Sequence, residues 1–283
     1  MNTSVSEVMP TQLRTVKGVS IRYAESGENR DNTLLLTSPW PESLYAFLPI
    51  WQPLSEYSHL LAIDLPGFGQ SERRNDLFSP QAMGEFLIQL VDEWGLDTPH
   101  VVAPDVGTAA ALFAAAFYPG KLRSLIVGNG GVAYPIQATG VLKDIIDAPD
   151  LEPFRAIDPR VTLSVSLDEG HEHYRLPPEV REDYLQSYEG DRFVESMRYV
   201  RRYPQELPAL GGLLAEIQTP VQIINSRHDS LVPLVNGEYL HERLPNSKLD
   251  ILEAGHFPWE DLADQYAAII SAWVKGGYQN IGA

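Results

Sequence analysis

The sequence predicts an α/β fold with a mostly parallel central sheet flanked by helices, and three features predict it. Short apolar runs alternate with longer helical patterns, the signature of βα units. One strand leads directly into a helix of small residues, and one long internal stretch breaks the alternation before it resumes. The strands are placed at Val19 to Tyr23, Thr33 to Leu36, His59 to Ile63, His100 to Ala103, Leu122 to Val127, Val221 to Ile224 and Ser247 to Ile251. Their Val, Ile and Leu content suits strands covered on both faces. The segment Thr108 to Tyr118, TAAALFAAAFY, is dense in alanine, a strong helix former, and stops at Pro119-Gly120. From about Tyr134 to Gly212 prolines are frequent, the run His171 to Tyr174 is polar, and helical patterns fall at Glu179 to Tyr188 and Arg192 to Arg202. This stretch reads as a helical cap of residues 134–212 inserted into a core of residues 1–133 and 213–283. Thr219-Pro220 reopens a strand, and the last helix is placed from Asp261 to about Lys275.

A chain of 283 residues can bury a sizeable core and an enclosed site. Its formal charge of −17 repels phosphate backbones and anionic membrane surfaces, so nucleic acid and membrane are not expected partners. The absence of cysteine excludes disulfides, thiolate metal sites and a cysteine nucleophile. The segment Met1 to Arg14 is polar and lacks the apolar centre of a signal peptide, which makes a cytoplasmic location the default expectation. A small-molecule substrate is the expected partner, and a homodimer is left open.

The segment His100 to Leu112, HVVAPDVGTAAAL, places Asp105 between a strand and a helix, within Ala103-Pro104-Asp105-Val106-Gly107. A nucleophile elbow holds its central residue on a tight turn and requires small residues two before and two after it, as Ala103 and Gly107 are. Pro104 restrains Ala103 to an extended conformation. A helix N-terminus there favours an anion. Asp is also a preferred helix N-cap, so this segment alone leaves both readings open. Two further segments bear on the choice. NSRHDSLVP (Asn225 to Pro233) places Asp229 in a loop after a strand, at the sheet edge where open α/β folds put their sites. LEAGHFPWED (Leu252 to Asp261) places His256 on the loop entering the last helix. Singly, Asp229 suits a turn cap and His256 an exposed loop; together they give nucleophile, acid and histidine in one order.

Four landmarks then resemble the α/β-hydrolase superfamily over nearly the whole chain apart from the cap: AIDLPGFGQS (Ala62 to Ser71), the Asp105 elbow, the R-H-D-x-x-V-P loop at Asp229 and A-G-H-F-P-W-E-D around His256. The resemblance implies the α/β-hydrolase fold. Aspartate at the elbow is similar to the epoxide hydrolase and haloalkane dehalogenase branches, including the fluoroacetate dehalogenases.

A carboxylate is ionised at neutral pH and needs only desolvation and aim to attack. Attack on a carboxylic ester would give a mixed anhydride and expel a poor alkoxide, whereas attack on a carbon bearing a strained epoxide oxygen or a halide gives a plain ester. The expected cycle is attack by Asp105, then hydrolysis of the ester by a water that His256, oriented by Asp229, deprotonates. The oxyanion donors are expected to be the backbone N–H groups of Val106 and Trp40. The loop carrying Trp40 reads Thr37-Ser38-Pro39-Trp40-Pro41-Glu42, with Ser38 and Pro39 where the family usually has histidine and glycine. Trp40 and Pro41 are expected to line the substrate pocket.

Related haloalkane dehalogenases usually place tryptophan after the nucleophile to hold the halide, and fluoroacetate dehalogenases often place arginine there. Val106 can do neither, and the indole of Trp40 offers a single donor. Epoxide opening instead needs an acid for the alkoxide, which the resemblance assigns to a cap tyrosine: Tyr199, Tyr203 or Tyr174 here, with Tyr184 and Tyr188 also in the cap and Val200 competing in one register. An epoxide hydrolase is therefore the leading expectation; a dehalogenase, an ester or lactone hydrolase with Asp105 as base, and a binding protein with little turnover are the alternatives. His171-Glu172-His173 lacks helical metalloprotease spacing and an evident third ligand, so it reads as a solvated loop, with no metal or cofactor expected. Trp40, Tyr45, Phe47 and Trp51 read as a mixture of cleft and core.

Overall fold

The computed structural model describes residues 5–26 and 32–281. Eight strands form one sheet in the order β1-β2-β4-β3-β5-β6-β7-β8. They are β1 (Thr11–Val16), β2 (Val19–Ser26), β3 (Thr33–Thr37), β4 (His59–Ile63), β5 (His100–Pro104), β6 (Ser124–Gly128), β7 (Val221–Ser226) and β8 (Ser247–Leu252). β1 and β2 pair antiparallel, β2 pairs antiparallel with β4, and every pair from β4 to β8 is parallel. β5, β6 and β7 are buried along their whole length, as strands covered on both faces must be.

Sequence reasoning missed β1. TQLRTV has no buried residue before Val16 and sits at the sheet edge, so it carries no apolar alternation. What specifies it is the turn: Lys17 and Gly18 both have positive φ, 48° and 80°, the geometry that joins two right-handed twisted strands through two residues.

The helix Val106–Phe117 packs on the helix Pro80–Trp94, and Gly84 permits the approach, because a Cβ there would lie 2.5 Å from the carbonyl oxygen of Ala110. On the opposite face, the helix Leu48–Ser55 packs on Ala263–Val274. Between β6 and β7 the chain forms the helices Gly140–Asp147, Pro159–Gly170, Pro178–Ser187, Arg192–Ser196 and Tyr203–Leu213. The expected helix Arg192 to Arg202 is broken, with a short turn at Val200–Arg202 before Tyr203–Leu213 starts on Pro204. The terminal helix likewise divides into Pro258–Asp261 and Ala263–Val274. No described helix is long and apolar enough to cross a membrane.

Arg22 on β2 joins these layers. It is 5% exposed, pairs with Asp64 at 3.3 Å, and reaches Asp183 on the inserted helix Pro178–Ser187 at 2.7 Å. Burial pushes the Asp64 carboxyl up to about 6 while the neighbouring Arg22 charge opposes the shift. Asp64 also accepts N–H groups from Leu44 at 2.7 Å and Gln70 at 2.8 Å, tying the Pro-Gly turn to the chain beyond Trp40. The turn leaves no room for a side chain at Gly69, which has φ +49° and whose Cβ would lie 2.1 Å from the Asp64 carboxyl carbon. Gly69→Ala should therefore destabilise the protein by roughly 2–4 kcal/mol, combining a strained φ with a displaced buried carboxylate. Denaturant titration checks this, and a loss below about 0.5 kcal/mol would mean that Asp64 is not pinned.

Candidate active site

β5 ends at Pro104 and its following helix begins at Val106, so Asp105 alone makes the corner. Its φ is +51°, a conformation that costs a non-glycine residue on the order of 1–3 kcal/mol and persists only where packing enforces it. The enforcement is visible in neighbouring residues without room for a side chain. A Cβ on Gly107 would lie 2.4 Å from Thr37 Oγ1, and one on Gly130 would lie 2.3 Å from the carbonyl oxygen of Asp105. The side chain does not cap its own helix in the ordinary way. Instead Oδ2 accepts the backbone N–H of Trp40 at 2.6 Å, and the nearby N–H of Val106 at the helix start favours the charged carboxylate. Ser38 and Pro39 thus do not prevent Trp40 from donating. Ser38 anchors its loop by donating its N–H to Ile63 O at 2.9 Å and by accepting the Leu65 N–H on Oγ at 3.2 Å.

Asp229 follows β7. Its Oδ1 accepts the N–H groups of Leu231 and Val232 at 2.9 and 2.8 Å, and its Oδ2 lies 2.7 Å from His256 Nδ1. A carboxylate facing Nδ1 places the ring proton there and turns Nε2 toward the elbow, where it lies 3.8 Å from Asp105 Oδ1. That separation is beyond a hydrogen bond. Asp229 Oδ2 has one more donor, Asn129 Nδ2 at 2.7 Å. Sequence reasoning missed Asn129; the available signal was Asn-Gly-Gly directly after β6, where Asn129 adopts φ +47°. Five strand ends, of β3, β5, β6, β7 and β8, thus contribute to one cluster, and Asp105, Asp229 and His256 are 7%, 7% and 6% exposed.

Burial pushes the Asp105 carboxyl up to about 6, opposed by His256 and by the N–H groups of Trp40 and Val106. Burial by itself would lower His256, but Asp229, then Asp105 and Glu42, outweigh it and raise the imidazole to about 9. Asp229 is held below the usual carboxylate range: burial acts upward, and the His256 charge and three hydrogen bonds overcome it.

The cluster opens into a cavity of about 220 Å³ between the sheet edge and the inserted helices. Trp40, Pro41 and Tyr203 line it. Of the tyrosines named from sequence, Tyr203 alone faces the cavity. Its ring lies over Gly131, and its hydroxyl makes no hydrogen bond among the described residues. Tyr199 is corrected to a support of the elbow, since its hydroxyl donates to Val106 O at 2.8 Å from a fully buried position. Tyr174 is also corrected: it lies beside His171, outside the cavity lining. Tyr184 and Tyr188 donate to Glu260 and to the Glu42 carbonyl, and Val200 lines the cavity in the register that competed with the tyrosines. The Trp40 indole donates to Ser196 Oγ at 2.8 Å, so it is not free for a leaving group. Tyr45, Phe47 and Trp51 are core residues.

His171 is the largest departure. Expected in a solvated loop, it is 7% exposed, stacked on Phe257 with ring centres 4.8 Å apart, and bonded to Glu260. Glu42 completes a buried group with them, the set among the described residues whose ligand atoms lie close enough to hold a metal ion. Glu172 and His173 are exposed as expected. The partners of His171 lie far away in sequence, so spacing within the run could not reveal them.

The geometry makes a direct statement about electrostatics. Asp105→Asn removes an anion facing His256 and should bring the imidazole titration down from about 9, because the cationic form loses a stabilising neighbour. An NMR titration of the ring protons measures this, and an unchanged midpoint would mean that the two side chains do not face each other.

Comparison with known proteins follows the same lines. An uncharacterized hydrolase of Bacillus subtilis, YugF, is 23% identical over 272 residues, covering 95% of this chain and 99% of its own. A 2-hydroxy-6-oxononadienedioate/2-hydroxy-6-oxononatrienedioate hydrolase of Pseudomonas putida is 25% identical over 284 residues, covering 92% and 95%. The crystal structure of an epoxide hydrolase from Vigna radiata shares the fold with a TM-score of 0.79 at 15% identity, covering 96% of this chain and 99% of that one. Residues 32–261 match the family model described as alpha/beta hydrolase fold, and with that match over most of its length the chain belongs to the α/β-hydrolase family.

Proposed function

We propose that this α/β hydrolase opens an epoxide to a diol through a covalent ester on Asp105. The observation that carries the reading is the division of labour between the two carboxylate oxygens. Oδ2 accepts the Trp40 N–H, placed where negative charge develops when an Asp105 ester is hydrolysed, and Oδ1 is the oxygen that faces His256. A base acting on water would need neither that donor nor a second base beside it.

In the first step Oδ1 attacks an epoxide carbon, the carbon–oxygen bond of the ring breaks, and the alkoxide takes the proton of Tyr203. Burial, together with the nearby Asp105 charge, raises the Tyr203 hydroxyl well above its ordinary value, so it enters the step protonated. Esterification removes the Asp105 charge. His256 then loses one of the anions that raised it, gives its extra proton to the Tyr203 phenolate across the cavity and becomes a base. It takes a proton from water as the hydroxide adds to the Asp105 carboxyl carbon, and Trp40 and Val106 hold the oxyanion. Collapse passes the proton of the added hydroxyl to the departing alkoxide and releases the diol, leaving Asp105 as the carboxylate and His256 protonated as at the start. Epoxide and water become diol with the enzyme unchanged. A halide would find no comparable assistance: Val106 presents an apolar side chain and the Trp40 indole is committed to Ser196.

Removing the base should separate the steps. In His256→Gln, incubation with an epoxide such as styrene oxide should leave the Asp105 peptide heavier by the mass of the epoxide, with turnover reduced at least ~10³-fold. Absence of that mass in both His256→Gln and native enzyme, across a panel of epoxides, would sink the nucleophile reading.

The cavity also selects by charge. Its lining includes Asp105, Glu169 and Glu172 but no lysine or arginine. With Asp229 beside it, the triad carries net negative charge while Asp105 is ionised and His256 protonated. A substrate carboxylate about 8 Å away meets roughly 2 kcal/mol of repulsion at an effective dielectric near 20, on the order of 30-fold in kcat/KM. Styrene oxide should therefore be preferred to its para-carboxylate by at least ~10-fold at low salt. Equal rates would show that an unrecognised cation serves the site. The dioate in the name of the Pseudomonas putida relative is accordingly not transferred to this chain.

A further inference from the structure

Behind the triad lies a second buried polar cluster whose three members come from three separate segments. Glu42 follows the Trp40 loop, Glu260 lies four residues beyond His256, and His171 ends the inserted helix Pro159–Gly170; they are 0%, 2% and 7% exposed. Glu42 Oε2 accepts the indole N–H of Trp259 at 3.0 Å, while Oε1 is sealed from solvent without a donor of its own. One carboxyl oxygen from each of Glu42 and Glu260 and a ring nitrogen of His171 lie within 4.8 Å of one another. Glu260 Oε1 accepts the Tyr184 hydroxyl at 3.0 Å, and its Oε2 meets His171 Nε2. On the other side of the ring, Nδ1 lies 2.7 Å from the carbonyl oxygen of Leu167, which can only accept.

These contacts fix where protons must be. Two buried carboxyls this close repel each other unless a proton is shared between them. Nδ1 of His171 must carry hydrogen because it faces a carbonyl, so the contact between Nε2 and Glu260 needs a further proton. Two shared protons on two carboxylates and one imidazole give a neutral cluster, which is how such groups can be stable in a water-free interior.

We propose that Glu42, Glu260 and His171 are positioning residues that share two protons and lock the inserted helices onto both active loops. Glu42 holds the segment whose Trp40 N–H reaches Asp105, and Tyr188 reinforces it by donating to the Glu42 carbonyl at 3.0 Å. Glu260 holds the segment that carries His256. His171, stacked on Phe257 next to His256, brings the cap to both. Gly170 allows that approach, since a Cβ there would lie 2.2 Å from the Phe257 ring. The cluster touches no substrate; it sets the oxyanion donor against the nucleophile. A divalent cation bound by the same atoms is the competing occupant.

The test rests on the covalent cycle proposed above and compares Glu42→Gln with Glu42→Leu in the full chain. Glutamine retains a neutral donor and acceptor in nearly the same shape, and leucine retains only the volume. Rapid quench with mass analysis of the Asp105 peptide separates ester formation from ester hydrolysis. Glu42→Gln should stay within about threefold of native in both steps. Glu42→Leu should slow hydrolysis at least ~10-fold and formation by less than about threefold, so that the ester accumulates, because Trp40 N–H matters most when the oxyanion forms. Equal partition in native and Glu42→Leu, or equal damage from glutamine and leucine, overturns the proposal. If Glu42→Leu does not fold, His171→Gln replaces it; it removes the stacked ring, and unchanged partition there is equally fatal. Metal analysis of the native protein decides the occupant. No stoichiometric divalent ion supports the shared protons, and one ion per chain whose removal by EDTA disorders the cap overturns them. A missing ester in His256→Gln would count against Asp105 as nucleophile, whereas an ester with native partition in the Glu42 and His171 variants counts against the joint alone.

Discussion

The hydrogen bond from the Trp40 N–H to Asp105 Oδ2, 2.6 Å long, is the interaction on which the arrangement of this protein turns. It requires a loop after β3 and a strained corner after β5 to meet across the edge of the sheet. It also settles which carboxylate oxygen is occupied and which is free. The carboxylate is buried enough for its proton affinity to rise, yet two N–H groups and an imidazole keep its charged form accessible. For the proposed attack on an epoxide, this is the compromise that a desolvated carboxylate needs: less solvation than water gives, but enough fixed dipoles to remain an anion.

The strain at Asp105 is maintained by absence of side chains around it. Gly107 against Thr37 and Gly130 against the Asp105 carbonyl let three backbone segments approach more closely than any larger residue would allow. Tyr199 then closes the corner from the cap side through Val106 O. The stability of the corner is thus distributed over the sheet, the elbow helix and the insertion, which is why an unfavourable φ survives at the point where the chemistry is placed.

Charge is managed differently in the two buried clusters. Where His256 meets Asp105 and Asp229, one cation sits between two aspartates, and the residual negative charge faces the cavity. Behind it, Glu42, Glu260 and His171 reach neutrality by sharing protons and have no contact with the cavity.

The α/β class and the parallel strands from β3 to β8 were legible from the sequence, because buried strands are continuous apolar runs and the Ala-rich helix has one preferred conformation. The edge strand β1 was not, since a strand with little to bury leaves little pattern. Asp105, Asp229 and His256 could be picked out because each follows a strand in a short stereotyped turn, and the structure places them in one cluster. Which tyrosine faces the cavity was beyond reach: Tyr199 and Tyr203 lie on adjacent turns of the same segment, and only packing against Phe68, Val106 and Gly131 sends one to the elbow and the other to the cavity. His171 and Asn129 were hidden for the same reason. Local sequence determines what a segment can become, but a polar residue's burial depends on partners more than 80 residues away, and those are chosen only when the cap closes on the sheet.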